Sequence, residues 1–334
     1  MEILLQAHQC ARKNKTWYRD VKLVDENPEY FLRRIQNMLL TKSYEVSQYK
    51  EEYRLENGKT RHLYKLPYFP DRIIQWAIIL VTREILERKF IYTTFSSIPG
   101  RGPVSCMNTV VHDIKHDVEG TKYCLKLDIH HFYESIDHGI LKSLYFRIFK
   151  DEDLLELIFK IIDSLPPEDG IPIGNFLSQY SGNLFLTPLD HICKEQLFCK
   201  YYYRYMDDII ILKNDKESLW NILENIKYWC AENKLSIKSN YQIFPIDIRG
   251  IDFVGYRIFP THVLIRKRII KNMKRKVKKI QIHKIKSITH IRGIVASYNG
   301  ILKHGNGYQL HQKYLLDIER MLNDGRIQNI TEYC

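Results

Sequence analysis

Residues 201–212, YYYRYMDDIIIL, carry the strongest structural signal in this 334-residue chain. Aromatic and aliphatic residues on either side of Asp207 and Asp208 predict two buried strands that meet in a tight acidic turn. Carboxylates this close to buried strands repel each other and are costly to desolvate unless cations neutralise them. The stretch therefore predicts a hairpin whose tip binds divalent metal, with a merely exposed acidic turn as the alternative.

A second apolar strand, YCLKLD at residues 123–128, also ends in an acid. If this strand lies beside the hairpin, the carboxylates of Asp128, Asp207 and Asp208 meet at one end of a sheet. Three carboxylates at one point suit two Mg²⁺ ions about 4 Å apart, one activating an attacking hydroxyl and both bracing a phosphoryl oxygen. The sequence thus predicts a two-metal site for phosphoryl transfer.

Helical and strand patterns alternate along the rest of the chain. Asparagine and glycine at 57–58 favour a hairpin turn, and Asp71 is placed to cap a helix. We expect the buried stripe of that helix to run through Ile74, Ile78, Val81 and Ile85. Strands separated by inserted helices favour an α/β fold with one mixed sheet that carries helices on one face.

Positive charge is concentrated in one segment near the C-terminus. The chain has 51 Lys and Arg against 39 Asp and Glu, a net charge of +12. Eleven of the twenty-one residues from Arg266 to Lys286 are basic and none is acidic. Such a stripe repels itself unless a polyanion lies against it. It therefore indicates nucleic acid or an anionic membrane face, with a solvated helix face as the alternative.

Composition excludes several classes of protein. With 45% hydrophobic residues the chain can bury a core, which rules out disorder as its main state. Its longest apolar run, Trp76–Val81, is too short to span a bilayer, and the N-terminus lacks the features of a secretion signal. Seven scattered cysteines without a CxxC pair indicate reduced thiols rather than disulfides or zinc. We therefore expect a soluble cytoplasmic protein with no membrane partner.

Three sequence blocks carry a family resemblance. YMDD at 205–208, LDIHHFY at 127–133 and GIPIGNFLSQ at 170–179 have the order and spacing of the palm motifs of the reverse transcriptases, which the chain resembles. The resemblance implies a right-hand polymerase with fingers, a palm built on an antiparallel sheet with helices on one face, and a helical thumb. The implied boundaries are 1–115 for the N-terminal region and fingers, 116–255 for the palm with an insertion at about 139–169, and 256–334 for the basic thumb.

The resemblance also implies how the acidic site works. Asp128 and Asp207 would coordinate two Mg²⁺ ions, for which Mn²⁺ is an expected substitute, with Asp208 close by and the Ile129 carbonyl completing the shell. Tyr133 occupies the position of a gate against the ribose 2′-hydroxyl, with a core tyrosine as the alternative. The other residues expected to contact the nucleotide are Lys59 and Arg61 at the triphosphate, Ile173 and Gln179 in the second block, and Lys238 at the leaving pyrophosphate.

Residues farther along the chain resemble the elements that hold a primer–template duplex. GIDFVGYRI at 250–258 resembles the primer grip, which implies contacts from Phe253, Gly255 and Tyr256. The basic segment resembles the thumb, and its expected contacts with the nucleic-acid backbone are Lys271, Lys274, Arg275, Lys278 and Lys279. The implied partners are template RNA, an RNA/DNA primer–template duplex and deoxynucleoside triphosphates.

Two features resemble one branch of this family, the reverse transcriptases of diversity-generating retroelements. Where most relatives carry Pro-Gln-Gly in the second block, this chain has Pro172-Ile173-Gly174, and the run IGNFLSQ at 173–179 resembles the pattern of that branch. Residues 250–267 are similar to the same group. That branch copies a template-repeat RNA with errors opposite adenine, in prokaryotic or phage-encoded systems, together with a small basic oligomeric accessory protein. The alternatives are a phage-defence reverse transcriptase, which makes non-coding or untemplated DNA, and a catalytically silent RNA-binding scaffold.

Overall fold

The structure is a computed structural model that describes residues 1–56, 59–166, 170–282, 284–285 and 287–324. The α-helices are α1 (Glu2–Arg12), α2 (Arg19–Glu26), α3 (Pro28–Leu40), α4 (Ile73–Glu87), α5 (Pro103–His116), α6 (His138–Ile148), α7 (Glu152–Ile162), α8 (Phe176–His191), α9 (Lys216–Glu232), α10 (Ile246–Arg249), α11 (Lys267–Gln281), α12 (Ile288–Leu302), α13 (Tyr308–Tyr314) and α14 (Leu316–Asn323). Shorter helical turns cover Tyr68–Arg72, Tyr133–Ser135 and Ile192–Gln196. Within the described ranges, no helix has both the length and the apolar character needed to cross a bilayer.

The strands of the described residues form three sheets. Their bounds are β1 (Lys50–Glu56), β2 (Lys59–Lys65), β3 (Thr94–Phe95), β4 (Tyr123–Asp128), β5 (Tyr201–Tyr205), β6 (Asp208–Lys213), β7 (Gln242–Pro245), β8 (Ile251–Phe253), β9 (Tyr256–Ile258) and β10 (Val263–Ile265). β1 and β2 make an antiparallel hairpin, whose expected turn at Asn57 and Gly58 lies outside the described residues. β8, β9 and β10 form an antiparallel sheet, and the central sheet has the order β3-β5-β6-β4-β7.

The central sheet is mixed, as the alternation of strands and helices predicts. β4 and β7 are antiparallel, with Cys124 opposite Phe244, whereas β3 and β5 pair in parallel, with Thr94 opposite Arg204. The antiparallel palm sheet implied by the family resemblance therefore needs one correction, at the β3 edge. Parallel pairing requires a long crossover connection, and the helices between β3 and β5 supply it.

The chain forms two compact units. Unit 1 contains Met1–Ile98, Leu127–Ile209 and Asn221–Tyr241, and unit 2 contains Pro99–Lys126, Ile210–Trp220 and Gln242–Cys334. The division into fingers, palm and thumb at residues 115 and 255 stays a prediction.

The core of unit 1 surrounds α8. This helix is buried on nearly all sides and packs against α4 and α6. Its polar residues Ser181 and Asn183 are buried together with its aliphatic ones, and both have hydrogen-bond partners inside the protein. In the neighbouring strand β5, the side chains of Tyr202, Tyr203 and Arg204 are completely buried. A strand buried on both faces leaves no route to water, so its arginine requires a partner inside the protein.

The basic segment of unit 2 folds as the amphipathic helix α11. Met273, Val277 and Ile280 form its buried face, while the basic residues between them are exposed. The buried residues recur at spacings of four and three, the period of one helix face. α11 packs against α12, so its apolar side is covered within unit 2.

Candidate active site

The acidic turn joins β5 to β6, as the sequence predicts, and lies in unit 1. Met206 has a φ of 57°, the left-handed conformation that lets a short turn reverse the chain between two strands. Burial raises the pKa of Asp207 to about 7, and the negative charges of Asp128 and Asp208 act in the same direction. Because Asp128 belongs to a different strand, this coupling means that the ends of β4 and β5 meet at one acidic site.

Asp128 is held at the site through its backbone. The Lys238 amide donates to the Asp128 carbonyl at 2.9 Å, and the His130 amide donates to the Ser236 carbonyl at 2.8 Å. Between these two bonds lies Ile129, which is fully buried. The Lys238 ammonium contacts the Asp128 carboxylate, and its charge also favours ionisation of Asp207. Lys238 therefore lies within the acidic site and offsets part of the repulsion between its carboxylates.

The site has the donor chemistry for magnesium without being a complete cage. In the part of the chain that the structure describes, no three His, Cys, Asp or Glu side chains converge to hold a metal ion. Magnesium in phosphoryl-transfer sites usually takes one or two carboxylates and completes its shell with water and substrate phosphates. The Asp128–Asp207 pair fits such a site, because a bound cation would relieve the repulsion that raises the pKa of Asp207.

Two residues predicted to contact the nucleotide lie near the acidic turn. Burial and the charge of Asp207 raise the pKa of Tyr133, while the charges of Arg204 and Arg61 act in the opposite direction. The predicted gate tyrosine and the predicted triphosphate arginine are thus within electrostatic range of each other. Lys59 is the first residue of β2, and its backbone pairs with that of Glu56 in β1. Its side chain lies outside the described part of the structure.

The loop of the second block is attached to the β1–β2 hairpin. The Tyr64 amide in β2 donates to the Ile173 carbonyl at 2.9 Å. Gly174 has a φ of 127°, and a β-carbon there would lie 2.5 Å from the Tyr64 carbonyl oxygen, so the close approach requires glycine. The β1–β2 hairpin thereby fixes the backbone of Ile173. Gln179, the other residue predicted from this block, lies on the first turn of α8 with its side chain exposed.

A buried ion pair contacts the acidic turn from the protein interior. Neither Arg204 nor Asp190 has any solvent exposure, and the guanidinium donates to both carboxylate oxygens, at 2.7 and 2.6 Å. A further guanidinium nitrogen donates to the Met206 carbonyl inside the turn at 3.0 Å. Asp190 also accepts from the hydroxyls of Tyr202 at 2.6 Å and Thr94 at 3.0 Å. Arg204 is therefore a positioning residue for the turn that carries Asp207.

This pair was not predicted from the sequence, although a signal for it exists. Arg204 lies within the aromatic strand YYYRY, and Asp190 lies near the end of the buried helix FLSQYSGNLFLTPLDH. Charged residues are almost never fully buried unless they are paired. A single positive charge in one buried element and a single negative charge in another would have suggested the contact.

The predicted primer-grip residues belong to unit 2. Phe253 is completely buried, and the nearly buried Tyr256 donates its hydroxyl to the Ile301 carbonyl at 3.2 Å. Between them, Val254 and Gly255 form the turn from β8 to β9, both with positive φ. A contact of this turn with nucleic acid would therefore come from its backbone rather than from the two aromatic side chains.

The basic residues predicted for the thumb lie on one face of α11 in unit 2. They follow the spacing i, i+3, i+4, i+7, i+8, the period of one helix side, and all are exposed. The members of this basic face are Lys271, Lys274, Arg275, Lys278 and Lys279. The Lys274 ammonium lies 5.1 Å from the centre of the Tyr314 ring. The face thus has the charge and exposure that contact with a polyanion requires.

Solved structures of telomerase share the fold of this chain. Telomerase from Candida tropicalis in complex with the TWJ fragment of telomeric RNA superposes with a TM-score of 0.51 and 13% identity, over 86% of this chain and 58% of that chain. Telomerase from Candida albicans, also in complex with the TWJ fragment, gives a TM-score of 0.51 and 10% identity, over 75% of this chain and 55% of that chain. At such identities the likeness concerns the fold alone. The chain has a right-hand polymerase fold, which confirms the predicted fold class.

The sequence comparisons identify the family. A family model described as "Reverse transcriptase (RNA-dependent DNA polymerase)" matches residues 49–258, more than half of the chain. The chain belongs to the reverse transcriptase family. Group II intron-encoded protein LtrA from Lactococcus lactis subsp. cremoris is 29% identical over 143 residues, 40% of this chain and 23% of LtrA. Protein YkfC from Escherichia coli (strain K12) is 23% identical over 253 residues, 64% of this chain and 65% of YkfC. The chain therefore spans less than two-thirds of the length of each of these relatives.

Proposed function

We propose that this chain is an RNA-directed DNA polymerase that copies a retroelement template RNA into cDNA by two-metal phosphoryl transfer. The observation that carries the proposal is the position of Asp128 at the end of β4, the sheet neighbour of β6, where its charge acts on Asp207 in the β5–β6 turn. Membership of the reverse transcriptase family supports the same activity. The telomerase structures solved with telomeric RNA fragments support RNA as a ligand of this fold.

In the proposed reaction, Asp128 and Asp207 hold two Mg²⁺ ions, with Asp208 and the Ile129 carbonyl as further oxygen donors. When bound, such ions activate the attacking 3′-hydroxyl and neutralise charge on the phosphoryl oxygens. Lys238 already contacts the Asp128 carboxylate, which supports a role as the acid that gives a proton to the leaving pyrophosphate.

The incoming nucleotide would be bound beside the acidic turn, near Tyr133 and Arg61. Arg61 and Lys59 hold the triphosphate, because a guanidinium can bind two phosphate oxygens at once and an ammonium adds a compact charge. Tyr133 lies within electrostatic range of both Asp207 and Arg61, which supports its place beside the sugar. There its ring excludes ribonucleotides by a steric clash with the 2′-hydroxyl.

Primer extension tests this activity. The purified chain, with and without co-purifying RNA, is given an RNA template annealed to a DNA primer, deoxynucleoside triphosphates and Mg²⁺. We expect template-length cDNA that disappears when the metal is chelated. If the chain binds the primer–template but extends the primer with neither Mg²⁺ nor Mn²⁺, the chain is a catalytically silent RNA-binding scaffold instead.

We propose further that copying is error-prone at template adenines, as in diversity-generating retroelements. Ile173 is an aliphatic residue at the position where the family resemblance implies a glutamine, and its backbone carbonyl accepts a hydrogen bond from the Tyr64 amide. Its side chain cannot donate hydrogen bonds that would align a correct pair. Losing one or two such bonds costs about 1 kcal/mol each, and 1 kcal/mol is about a fivefold loss of discrimination. A small basic oligomeric accessory protein is the expected partner in this branch.

Replacing Ile173 with glutamine is expected to lower misincorporation opposite template adenine by about fivefold, because it restores hydrogen bonds beside the templating pair. Sequencing of cDNA made on a defined RNA template measures the rate at each base. Ile173→Leu is the matched control and should keep the wild-type error pattern. An unchanged adenine error rate in the glutamine variant would contradict the role of Ile173. Repetitive or untemplated products would indicate the phage-defence type.

Neutralising the basic face of α11 is expected to flatten the salt dependence of duplex binding. Each lost phosphate contact removes about 0.9 from the slope of log affinity against log salt, so four substitutions lower it by up to about four. The variant changes Lys274, Arg275, Lys278 and Lys279 to glutamine, and binding is measured by fluorescence anisotropy across salt concentrations. An unchanged slope would mean that this face meets something other than the duplex, such as the accessory protein.

A further inference from the structure

Asp71 is a buried acid that the proposed mechanism does not use. Its side chain has no solvent exposure, and it lies in the helical turn Tyr68–Arg72, just before α4. One carboxyl oxygen, Oδ1, accepts from the Tyr44 hydroxyl at 2.8 Å and from the Ser47 amide at 3.1 Å. Both donors belong to residues 44–49, the last part of the connection from α3 to β1, which we call the strap. Asp71 therefore fixes the strap at two points.

Stability alone does not account for an acid at this position. The other oxygen of Asp71, Oδ2, is buried and accepts no hydrogen bond from any described residue. Burying a polar atom without a partner lowers the free energy of unfolding. Departures of this kind from a well-satisfied core are expected where a residue serves function. What the strap holds in place therefore indicates what Asp71 does.

The strap ends in Tyr49, which contacts the second-block loop, residues 170–175. The Asn175 side-chain amide donates to the Tyr49 hydroxyl at 2.8 Å. The Tyr49 ring packs edge-on against the Tyr64 ring, with the centroids 5.7 Å apart. Tyr64 is the hairpin residue whose backbone amide donates to the Ile173 carbonyl. Tyr49 thus contacts both the β1–β2 hairpin and the loop that carries Ile173.

The helix that follows Asp71 contacts the end of the same loop. Gln75 is 2% exposed, and its side-chain carbonyl accepts from the Phe176 amide at 2.9 Å. Phe176 is the first residue of α8, directly after the second-block loop. Asp71 and Gln75 are four residues apart on a continuous run of helix, so they lie on the same helix face. The strap and the end of the loop are therefore held by one face of one element, within unit 1.

We propose that Asp71 is a positioning residue for nucleotide binding. By fixing the strap, it places Tyr49 so that the hairpin that carries Arg61 and the loop that carries Ile173 keep their relative positions. The proposal rests on the proposed polymerase function, since it takes Arg61 and Ile173 as contacts of the incoming nucleotide and the templating pair. Because the hydrogen bonds of Asp71 go to the strap, its effect is on nucleotide affinity rather than on the chemical step.

Hydrogen–deuterium exchange on the free chain tests the positioning without catalysis. Replacing Asp71 with alanine leaves both strap donors without their acceptor. We expect the amides of Tyr64 and Phe176 to exchange about fivefold faster, the effect of losing one hydrogen bond of local stability. The matched control is Thr82→Val, which also removes a buried polar group but one whose hydroxyl bonds within α4. It should leave the exchange of both amides at the wild-type rate.

Single-turnover incorporation at varied deoxynucleotide concentration separates affinity from chemistry. Asp71→Ala should raise the apparent dissociation constant of the nucleotide about fivefold and keep the maximum rate per folded molecule within about twofold of wild type. Asp71→Asn keeps an oxygen that can accept both strap hydrogen bonds, so its nucleotide affinity should stay near wild type. Tyr49→Phe removes the hydroxyl that Asn175 contacts and should weaken nucleotide binding as the alanine variant does. Thr82→Val should change neither constant.

Wild-type exchange at the Tyr64 and Phe176 amides in Asp71→Ala would overturn the proposal, and so would an unchanged nucleotide affinity. Equal effects of Asp71→Ala and Thr82→Val would overturn it as well, because a purely structural role predicts them. Melting temperatures identify a variant that fails to fold, and Tyr49→Phe then decides both measurements. Because exchange needs no catalysis, faster exchange in a chain that never extends a primer would refute the polymerase function and leave the positioning of the loop in place.

Discussion

Replacing Asp207 with asparagine is expected to lower RNA-templated deoxynucleotide incorporation by about 1,000-fold or more. Metal ions stabilise the transition state by several kcal/mol, and each 1.36 kcal/mol corresponds to a factor of ten in rate. Asparagine keeps the shape of the Asp207 side chain and removes the negative charge that would hold the metal ions. Single-turnover primer extension measures the loss, with the exposed acid Glu232→Gln as the control. Incorporation within tenfold of wild type would contradict the role of Asp207.

The same substitution is expected to stabilise the metal-free fold at alkaline pH. The pKa of Asp207 is about 7 in the folded chain and well below that in the unfolded chain, so its neutral form favours folding. That contribution is complete below about pH 4 and is lost as the pH rises through about 7. Asparagine stays neutral throughout. In chelator, Asp207→Asn should therefore melt at a higher temperature than wild type near pH 8, and the difference should vanish near pH 4.

Replacing Asp190 with asparagine is expected to destabilise the protein by about 3–5 kcal/mol, because it leaves the Arg204 guanidinium buried without its counter-charge. In thermal unfolding this corresponds to a fall of the melting temperature on the order of 10 °C. The folded fraction should also lose activity, since Arg204 holds the Met206 carbonyl in the acidic turn. A melting temperature equal to that of wild type would contradict the stabilising role of the Asp190–Arg204 ion pair.

Tyr202→Phe is the matched control for Asp190→Asn. It removes one hydrogen bond to the same carboxylate and leaves both charges of the ion pair in place. It should cost only about 1 kcal/mol. Because the Tyr202 hydroxyl makes no hydrogen bond to the turn within the described part of the chain, turnover per folded molecule should stay near wild type. Comparable losses of turnover in both variants would mean that the ion pair has no positioning role beyond general stability.

The acidic hairpin could be predicted because its signals are local. Aromatic and aliphatic runs interrupted by two adjacent acids specify strands and a turn, and the structure has β5 ending at Tyr205 and β6 beginning at Asp208. The buried apolar face of α11 likewise follows from spacing along one helix. Both patterns repeat within a few residues of sequence, so neither depends on what lies elsewhere in the fold.

Features that depend on distant partners were predicted less well. Asp71 does not cap α4, which begins at Ile73. It is fully buried and accepts hydrogen bonds from the Tyr44 hydroxyl and the Ser47 amide. In α4 itself, Ile74 and Ile78 are buried as predicted, but Val81 and Ile85 are exposed. The buried stripe instead continues through Thr82 and Leu86.

The two errors have physical causes that lie outside the local sequence. α4 packs against both α1 and α8, so two neighbouring helices select its buried residues. Thr82 can join that stripe because its hydroxyl donates to the Ile78 carbonyl, which satisfies a polar group in the core. Asp71 is drawn inward by partners 24 and 27 residues before it in the chain. A single sequence does not contain these tertiary preferences.

Anomalous scattering from Mn²⁺ tests the two-metal site directly, in crystals of the chain bound to primer–template and an unreactive deoxynucleotide analogue. We expect two manganese peaks beside the carboxylates of Asp128 and Asp207. A properly paired nucleotide with no metal at these two carboxylates would contradict it.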